Sequence, residues 1–428
     1  MSSYSGMGAW FVLRLIAEGH DVDYFLSKPE YEDVLKGLIP KPKMLDLDHR
    51  YNEPGFTSYK KYDLSLFDLT GRAKQADASH REVPTLGDGS FEHQLEDDRE
   101  YGIEFMETAG IDVPPYTRFD NVGEAKSFLK SSKKRYVFKP FSIGGNAQDT
   151  ATTYVSKDAD DLLQYIDELW GDTKHAPFIL QEFIEGTEIG TEAFFNGTDF
   201  FLLTGTLEEK KFMNDNKGPN TGCSGNLVFA MKEEAKIFKE GLLKARSMLS
   251  AMGFRGIIDL NTIVTKDKAY GLEWTPRFGY LCCPTISSMY GHGYADILLS
   301  IASGESPITK WKYKYGMATT LSIPPYPTEI RIPKAKYVPI EGINYENPEE
   351  IVHTFLYDAM LNGGKKLCTS GNYGYVGAVL CPADSIGGAH ELMKERLKEI
   401  QIPNCQYRTD IYQSTLKRYT QLEEDGWL

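Results

Sequence analysis

The chain has 428 residues, of which 41% are apolar and 25% charged, and it carries a formal net charge of -14. This length predicts about two to four domains with ample core, and the negative charge argues against a nucleic-acid surface, which needs dense lysine and arginine. No apolar run is long enough to cross a bilayer and no secretion signal is recognisable, so we expect no membrane partner and a cytoplasmic location.

The six cysteines favour neither a disulfide scaffold nor a zinc site. No two of them form a CxxC pair, and they stand at Cys223, Cys282, Cys283, Cys368, Cys381 and Cys405. In so long a chain we expect buried, reduced thiols, as in a reducing cytoplasm.

Residues 1–92 are predicted to form a small α/β unit. The turn Ser5-Gly6-Met7-Gly8 leads into a helix that Gly19 ends, and residues 21–26 and 64–69 read as strands. A glycine turn of this kind normally follows a strand, yet only four residues precede Ser5. We therefore expect either that a first strand is missing before Met1 or that the start was assigned late.

The rest of the chain mixes helices and strands. Helices are predicted over residues 100–109, 121–129, 233–252 and 390–400, with a further helix capped by Ser156. Strands are predicted over residues 135–140, 178–180, 256–264, 269–274 and 374–380, with a hairpin turning at Asn196-Gly197. Beyond about Trp311 the proline- and tyrosine-rich sequence favours edge strands and turns.

Lys139 and the glycine loop at residues 142–146 suit phosphate binding. Making an amide from a carboxylate, an amine and ATP requires that the γ-phosphate is polarised and the acyl phosphate kept from water. A lysine at a strand end reaches phosphate oxygens, and a flexible loop after it can close over them. The alternative is an ordinary solvated lysine.

Asp259 and Glu273 are predicted metal ligands. They lie on consecutive strands joined by a short turn, so we expect the two carboxylates side by side on a buried sheet. Such a pair is costly unless a divalent ion neutralises it. The alternative is that Glu273 pairs with Arg277 or Arg255; Arg277 also suits an anion clamp.

Residues 178–222 read as a nucleotide clamp. The strand exit at residues 181–184 can face an adenine edge, and Glu188 can reach ribose hydroxyls. The GPNTG segment at residues 218–222 is predicted to be a polar turn that presents N–H groups to an anion, or only a turn. The SGMG turn is half a dinucleotide fingerprint with Phe11 in place of the third glycine, so it supports an NAD site only weakly.

Taken in order, the motifs resemble the phosphoribosylamine–glycine ligase family of the ATP-grasp superfamily. QLEDDREYGIEFMETAGIDVPPY at residues 94–116 is similar to the family's LEGSK helix with GIPTA, and QEFIEGTE at residues 181–188 to EEFLEGEE. GPNTGCSG matches GPNTGGMG, LEWTPRFG at residues 272–279 resembles LEFNARFG, and YRTDI at residues 407–411 resembles YRRDI. The ordered set, which covers nearly the whole chain, is more specific than any one match.

The resemblance implies a mixed α/β ATP-grasp fold and a set of roles. It implies a pre-ATP-grasp domain at residues 1–92, a core at 93–312 with a mobile lid at about 126–189, and a small C-terminal domain at 313–428. ATP would be bound by Arg99, Lys139, Ser142, Gly144, Gly145, Gln181, Glu182, Phe183, Ile184 and Glu188. Mg²⁺ or Mn²⁺ would be held by Asp259, Glu273 and Thr275. The substrates would be bound by Gly8, Lys210, Pro219, Asn220, Thr221, Gly222 and Arg277, with Arg277 and Lys139 as the catalytic residues.

The sequence departs from the family most clearly where substrates bind. Thr275 replaces the metal-binding Asn, residues 208–211 read EEKK in place of DHKR, SGMGAW replaces the GGREHA phosphate loop, and the lid's GKGV becomes GGNAQ. ATP binding is therefore better kept than substrate recognition.

We expect an ADP-forming ligase that joins glycine to 5-phosphoribosylamine in purine biosynthesis, acting as a monomer or homodimer on small molecules. The alternatives are an ATP-grasp ligase with a different amine or carboxylate, a catalytically silent ATP-binding relative, and, least favoured, an NAD-dependent oxidoreductase.

Overall fold

The computed structural model describes residues 1–44, 58–68, 72–141, 153–170, 177–328 and 335–428. The predicted phosphate-loop residues Ser142, Gly144 and Gly145 lie outside these ranges, and so does Leu69 at the end of one predicted strand.

The N-terminal unit is a small parallel sheet with helices. Its elements are β1 Ser2–Ser3, α1 Ala9–Ala17, β2 Phe25–Leu26, β3 Lys43–Met44, β4 Ser65–Leu66, α2 Ala73–His80 and β5 Thr85–Leu86. Strands β1, β2 and β3 pair in parallel, β4 pairs with β5, and a bridge from Ser2 to Phe67 joins the two ladders. The predicted α/β character is confirmed. A short strand does precede the glycine turn.

The predicted strands of this unit are longer than the observed ones. Only Phe25–Leu26 of residues 21–26 and Ser65–Leu66 of residues 64–69 are in strands. The reason is the partner, because Ser2–Ser3 offers only two residues for β2 to pair with.

A second, four-stranded antiparallel sheet follows two helices. The helices are α3 Ser90–Asp97 and α4 Arg99–Thr108, and the sheet unit comprises β6 Tyr116–Phe119, α5 Val122–Ser131, β7 Tyr136–Pro140, β8 Tyr154–Val155, α6 Ala159–Tyr165 and β9 Phe178–Glu182. The strand order is β6-β9-β7-β8. Phe119, Phe138 and Phe178 belong to an apolar cluster of this unit that is separate from the main core. This sheet unit therefore has an apolar core of its own.

The largest sheet has eight antiparallel strands and carries the main core. In spatial order its strands are β14 Ala269–Thr275, β13 Gly256–Val264, β10 Thr187–Phe195, β11 Phe200–Met213, β12 Lys217–Ala230, β15 Tyr315–Ser322, β19 Tyr375–Ala383 and β16 Thr354–Leu356. The C-terminal strands β15, β16 and β19 thus continue the central sheet.

Helices cover this sheet, and one small hairpin lies outside it. The helices are α7 Lys236–Glu240, α8 Arg246–Ala251, α9 Cys282–Tyr290, α10 Tyr294–Ser303, α11 Pro348–Val352, α12 Ile386–Glu399 and α13 Ile411–Glu424. The hairpin is β17 Met360–Asn362 with β18 Lys366–Cys368.

The predicted long helix over residues 233–252 is wrong. It is divided into α7, a 3-10 turn at Leu242–Ala245 and α8. The break is at Gly241, where φ is -114° and ψ is -108° and a Cβ atom would lie 2.9 Å from the Ile237 carbonyl oxygen. Helical periodicity continues across this break, so the apolar pattern alone does not reveal it.

Candidate active site

One face of the central sheet is lined with charged and polar side chains. Alternate residues of a strand point to the same face, so β10, β11, β13 and β14 each contribute at least two. The set comprises Glu188, Glu192, Thr206, Glu208, Lys210, Asp259, Asn261, Glu273 and Thr275. Strand register decides which of them meet.

The register pairs Glu273 with Asn261, and it pairs Asp259 with Thr275. On its other side, Asp259 is opposite Glu192 of β10. Asp259 and Glu273 share a face as predicted, but they are not directly opposite each other. A bulge after Asn261 shifts the β13–β14 pairing by one residue, and a bulge of this kind is not visible in the apolar alternation.

Lys210 is at the centre of a charged network with Glu188 and Glu273. Its ammonium donates to Glu188 Oε1 at 2.6 Å and lies 3.8 Å from Glu273 Oε1. The Asn261 amide also donates to Glu188, at 2.8 Å, and to Glu273, at 3.4 Å. The predicted ribose ligand Glu188 is thus already held by two donors. Asn261 was missed, although the alternation of Asp259 and Asn261 along β13 places both on one face.

Glu273 is an ionised carboxylate. Partial desolvation in the cleft favours the neutral acid, but Lys210, Lys139 and Arg99 outweigh it and lower the pKa of Glu273 to about 2. Its side chain remains 56% exposed to the cleft, so it is open to a ligand. The alternative pairings are excluded, because Arg277 binds Glu96 and Arg255 donates to the Ala302 carbonyl.

Lys139 and Arg99 bring positive charge to the same place. Burial and the nearby Arg99 lower the pKa of Lys139 to about 8. Arg99 Nε is buried without a hydrogen-bond partner, and burial lowers the pKa of this guanidinium while Glu273 raises it. Lys139 is buried and Arg99 is half-buried with its Nε short of a partner, so these two cations form a site that an anion would complete.

Local sequence explains where Arg99 lies. The Asp98 side chain accepts a hydrogen bond from the Tyr101 N–H and caps α4, so Arg99 becomes the first residue of the helix. The Trp274 indole donates to the Gly102 carbonyl at 3.1 Å, which fastens α4 to β14. Gly271 makes this close contact feasible, since a Cβ atom there would lie 2.4 Å from Met106 Sδ.

Arg277 is held by Glu96, a residue that the sequence analysis missed. Its Nε lies 3.1 and 3.2 Å from the two Glu96 oxygens, and its Nη2 lies 2.8 Å from Oε1. Burial lowers the pKa of Arg277, but Glu96 raises it more, so the guanidinium stays charged. The predicted anion clamp is therefore occupied by a carboxylate.

Asp259 and Glu192 form a carboxyl pair at the base of this face. Glu192 accepts from Thr206 at 2.8 Å and from the Cys282 thiol at 2.5 Å, and Asp259 Oδ1 is buried without a partner. Burial raises the pKa of Glu192 to about 7, and burial together with Glu192 raises the pKa of Asp259 well above its usual value. Because like charges on cross-strand neighbours repel, the pair holds a proton at neutral pH.

The predicted adenine segment ends β9. The Glu182 and Phe183 N–H groups are already taken by the Pro115 and Arg135 carbonyls, at 2.7 and 2.9 Å. Glu182 is ion-paired with Lys134, and Gln181 is buried. Ile184 is the one residue of the four whose N–H has no partner among the residues that the structure describes.

The predicted GPNTG turn is instead the beginning of β12. The hairpin turns earlier, at Asn214–Asn216, where Asp215 has a φ of 57°. Thr221 donates to the Lys210 carbonyl at 3.0 Å and so ties the segment to the charged network. Pro219 and Asn220 are exposed, and Gly222 lies beside Tyr280. Ladder pairing between Lys211 and Asn220 extends the strand through residues that composition assigns to a turn.

A cavity of about 570 Å³ joins the three parts of the molecule. Its walls are Tyr4, Ser5, Lys28 and Tyr31 of the N-terminal unit, Glu96 and Arg99 of the helices, and Glu273, Thr275, Arg277 and Tyr280 at β14 and beyond. Four predicted site residues thus line one cavity: Arg99, Glu273, Thr275 and Arg277. Gly8 does not line it, and its N–H donates to Asp68 at 2.7 Å.

Comparison with known proteins identifies the central part of the chain. Residues 97–283 match the profile of the family described as phosphoribosylglycinamide synthetase, ATP-grasp (A) domain. Over these residues the chain is similar to the ATP-grasp domain of that family.

Two curated relatives show the same kinship. The phosphoribosylamine–glycine ligase of Streptococcus pneumoniae strain R6 is 25% identical over 349 residues, 76% of this chain and 77% of the relative. The trifunctional purine biosynthetic protein adenosine-3 of Drosophila melanogaster is 25% identical over 360 residues. The match covers 78% of this chain but only 25% of that protein, so the chain spans about a quarter of its length.

Solved structures show the same fold. The phosphoribosylamine–glycine ligase of Thermotoga maritima has a TM-score of 0.71 at 18% identity, over 96% of this chain and all of that one. A biotin carboxylase of Campylobacter jejuni has a TM-score of 0.63 at 12% identity, over 99% and 96% of the two chains. The predicted resemblance and the ATP-grasp fold are confirmed.

The donor set fits a magnesium site that a nucleotide completes. Among the described residues, no three histidine, cysteine, aspartate or glutamate side chains are grouped to hold a metal ion. Mg²⁺ commonly takes one or two protein carboxylates and obtains its remaining ligands from phosphates and water.

Among the residues that the structure describes, no helix is long and apolar enough to cross a membrane.

Proposed function

We propose that this chain is an ADP-forming ligase that joins an amino acid, with glycine as the first candidate, to a small amine. The observation that carries the proposal is the grouping of two cations, the buried Lys139 and the half-buried Arg99, around the ionised carboxylate Glu273 in a part of the chain that is similar to an ATP-grasp domain. Such a group binds a triphosphate together with its divalent ion.

The residues divide between the nucleotide and the metal. Lys139 and Arg99 neutralise phosphate oxygens, Ile184 offers its N–H to the adenine edge, and Glu188 faces the ribose. Glu273 and the Thr275 hydroxyl hold Mg²⁺ or Mn²⁺, which when bound polarises the γ-phosphate and screens its charge. Asp259 contributes to this site only if it loses the proton that it shares with Glu192.

The chemistry requires two transfers in one enclosed cavity. A carboxylate oxygen of the amino acid attacks the γ-phosphorus, the bond to the ADP oxygen breaks, and an acyl phosphate forms. The amine nitrogen then attacks the acyl carbon, the bond to phosphate breaks, and the departing phosphate accepts the proton that the nitrogen loses. We also propose a cytoplasmic location, and the oligomeric state stays a prediction of monomer or homodimer.

A second candidate is a ligase of the same type with an acceptor other than 5-phosphoribosylamine. It is supported by Arg277, which is paired with Glu96, and by the glycine turn, whose N–H groups are taken by Asp68 and Ser3. These are the positions at which the resemblance implies substrate binding.

Hydroxylamine trapping tests the first half-reaction without knowledge of the amine. Purified protein is incubated with ATP, Mg²⁺, glycine and hydroxylamine, and the ADP and glycine hydroxamate formed are measured. We expect glycine-dependent formation of both, lost in Lys139→Met and kept in Lys130→Met, which changes an exposed lysine of α5. Absence of hydroxamate with glycine and with a panel of other amino acids would contradict the proposal.

A further inference from the structure

The glycine turn of the N-terminal unit is closed by a side chain of the same unit. Gly8 N–H donates to Asp68 Oδ2 at 2.7 Å, and the Tyr4 N–H donates to Oδ1 at 3.3 Å. The Ser3 hydroxyl donates to Oδ2 at 2.5 Å and accepts from the Gly6 N–H at 2.9 Å. The turn and the start of α1 thus form a cradle of N–H groups, and Asp68 fills it.

Asp68 is fixed in this position. It is 3% exposed and follows β4, which lies next to β1 in the sheet. Its side chain leaves no room in the cradle, because even a Cβ atom on Gly8 would lie 2.9 Å from Oδ2. A phosphate at these N–H groups would have to displace a buried carboxyl and break three hydrogen bonds, and a phosphate cannot regain all of these contacts while the carboxyl stays nearby.

The cavity wall next to the turn has little positive charge. Tyr4, Ser5, Lys28 and Tyr31 line it, and Lys28 is its single cation among the described residues. The Lys28 ammonium lies 4.5 Å from the centre of the Tyr4 ring, so the aromatic face already contacts it. This wall is suited to a ring or a hydroxyl-bearing group more than to a dianion.

We infer that the acceptor amine of the proposed ligase carries no phosphate group at this turn and is instead a non-phosphorylated amine whose ring or sugar lies against the cavity wall at Tyr4 and Ser5. This inference rests on the proposed function, because only an amide-forming ligase has an acceptor amine. The closed cradle itself is a property of the fold.

Binding of ribose 5-phosphate, compared with ribose, tests the closed cradle without any turnover. Titration calorimetry on the wild type should give no phosphate-dependent gain in affinity. In Asp68→Ser, which frees the cradle and removes the carboxylate, ribose 5-phosphate should bind at least about 10-fold more tightly than to the wild type, the gain expected from charge-assisted hydrogen bonds. Should Asp68→Ser fail to fold, as judged by thermal melting, Asp68→Asn serves, with a smaller gain.

Two results would overturn the inference. One is binding of ribose 5-phosphate to the wild type that is about 100-fold tighter than binding of ribose. If Lys28→Met lost that tight binding, the phosphate would be located at Lys28. The other is ADP release with glycine that 5-phosphoribosylamine stimulates and ribosylamine does not. Glycine hydroxamate formation is measured on the same preparation. If the hydroxamate is absent, the proposed function fails, whereas the calorimetric result on the cradle stands by itself.

Discussion

Lys139 shows how one buried side chain can link nucleotide binding to pH. The side chain is 8% exposed, and burial together with the nearby Arg99 lowers its pKa to about 8. A bound triphosphate would favour the charged form and raise that pKa again. Binding should therefore take up a proton when the pH is near 8.

We predict that the affinity for Mg·ATP falls as the pH rises above about 8. The affinity falls because the free protein loses the Lys139 proton above this pH, whereas the complex retains it. Calorimetry in two buffers of different ionisation enthalpy measures the proton uptake. The uptake should vanish in Lys139→Met and persist in Lys130→Met; equal uptake in both variants would contradict the assignment.

The Glu192–Asp259 pair predicts a pH-dependent stability. The folded-state pKa of Glu192 is raised to about 7 by burial, so the folded protein holds a proton that the unfolded chain releases. Stability is therefore lost as the pH rises from about 4.5 through 7. Glu192→Gln removes the part of this loss that comes from Glu192.

We predict that Glu192→Gln is more stable than the wild type by on the order of 1 kcal/mol at pH 8, and that the gain shrinks toward pH 5. Urea unfolding at both pH values measures it. Glu185→Gln, which changes an exposed carboxylate, is the matched control. A stability difference that does not change with pH would show that the pair holds no extra proton.

At the scale of elements, helix α13 holds the β11–β12 hairpin in place. Glu209 is 2% exposed and forms ion pairs with Arg408, at 3.2 Å, and with Arg418 of α13. Arg408 also donates to the Lys211 carbonyl at 2.9 Å. Because side chains alternate along β11, Glu209 points away from the cleft while Lys210 points into it. This network therefore acts on the site through the position of Lys210.

We predict that Glu209→Ala destabilises the protein by about 3 kcal/mol, since it leaves two arginines without their shared, buried carboxylate. Denaturant unfolding measures the change. Lys217→Ala, which breaks only the exposed pair with Asp215, should cost less than about 1 kcal/mol. Similar costs for both variants would mean that the buried network contributes no more than a surface pair.

The sequence predicts elements better than it predicts the partners of side chains. The short turn between two consecutive strands correctly predicted that Asp259 and Glu273 share a face, and the strand at Lys139 was found within one residue. The bulge after Asn261, the break at Gly241 and the ladder through Asn220 were not predicted, because each depends on what a distant segment pairs with. For the same reason, the sequence did not reveal that Glu96 pairs with Arg277. It also did not reveal that Asp68 accepts hydrogen bonds from the glycine turn.

At the scale of the whole molecule, three units meet at one cavity. The N-terminal sheet, the helices α3 and α4, and the end of β14 each supply part of its wall. The charge is unevenly distributed, because the cations Lys139, Arg99 and Lys210 lie around Glu273 while the N-terminal wall has only Lys28 within the described residues. The surroundings of Glu273 therefore carry a high density of charge, and the N-terminal wall does not.

The most direct test of this account is magnesium-dependent nucleotide binding by the wild type and by Glu273→Gln. Glu273→Gln keeps the size of the side chain, and thermal melting should show a folded protein. The account predicts that Mg²⁺ tightens ATP binding to the wild type by at least about 10-fold and that the variant loses this gain, as expected when a charged ligand of the ion is removed. Binding that is indifferent to Mg²⁺ in the wild type, or equally enhanced by Mg²⁺ in both proteins, would contradict it.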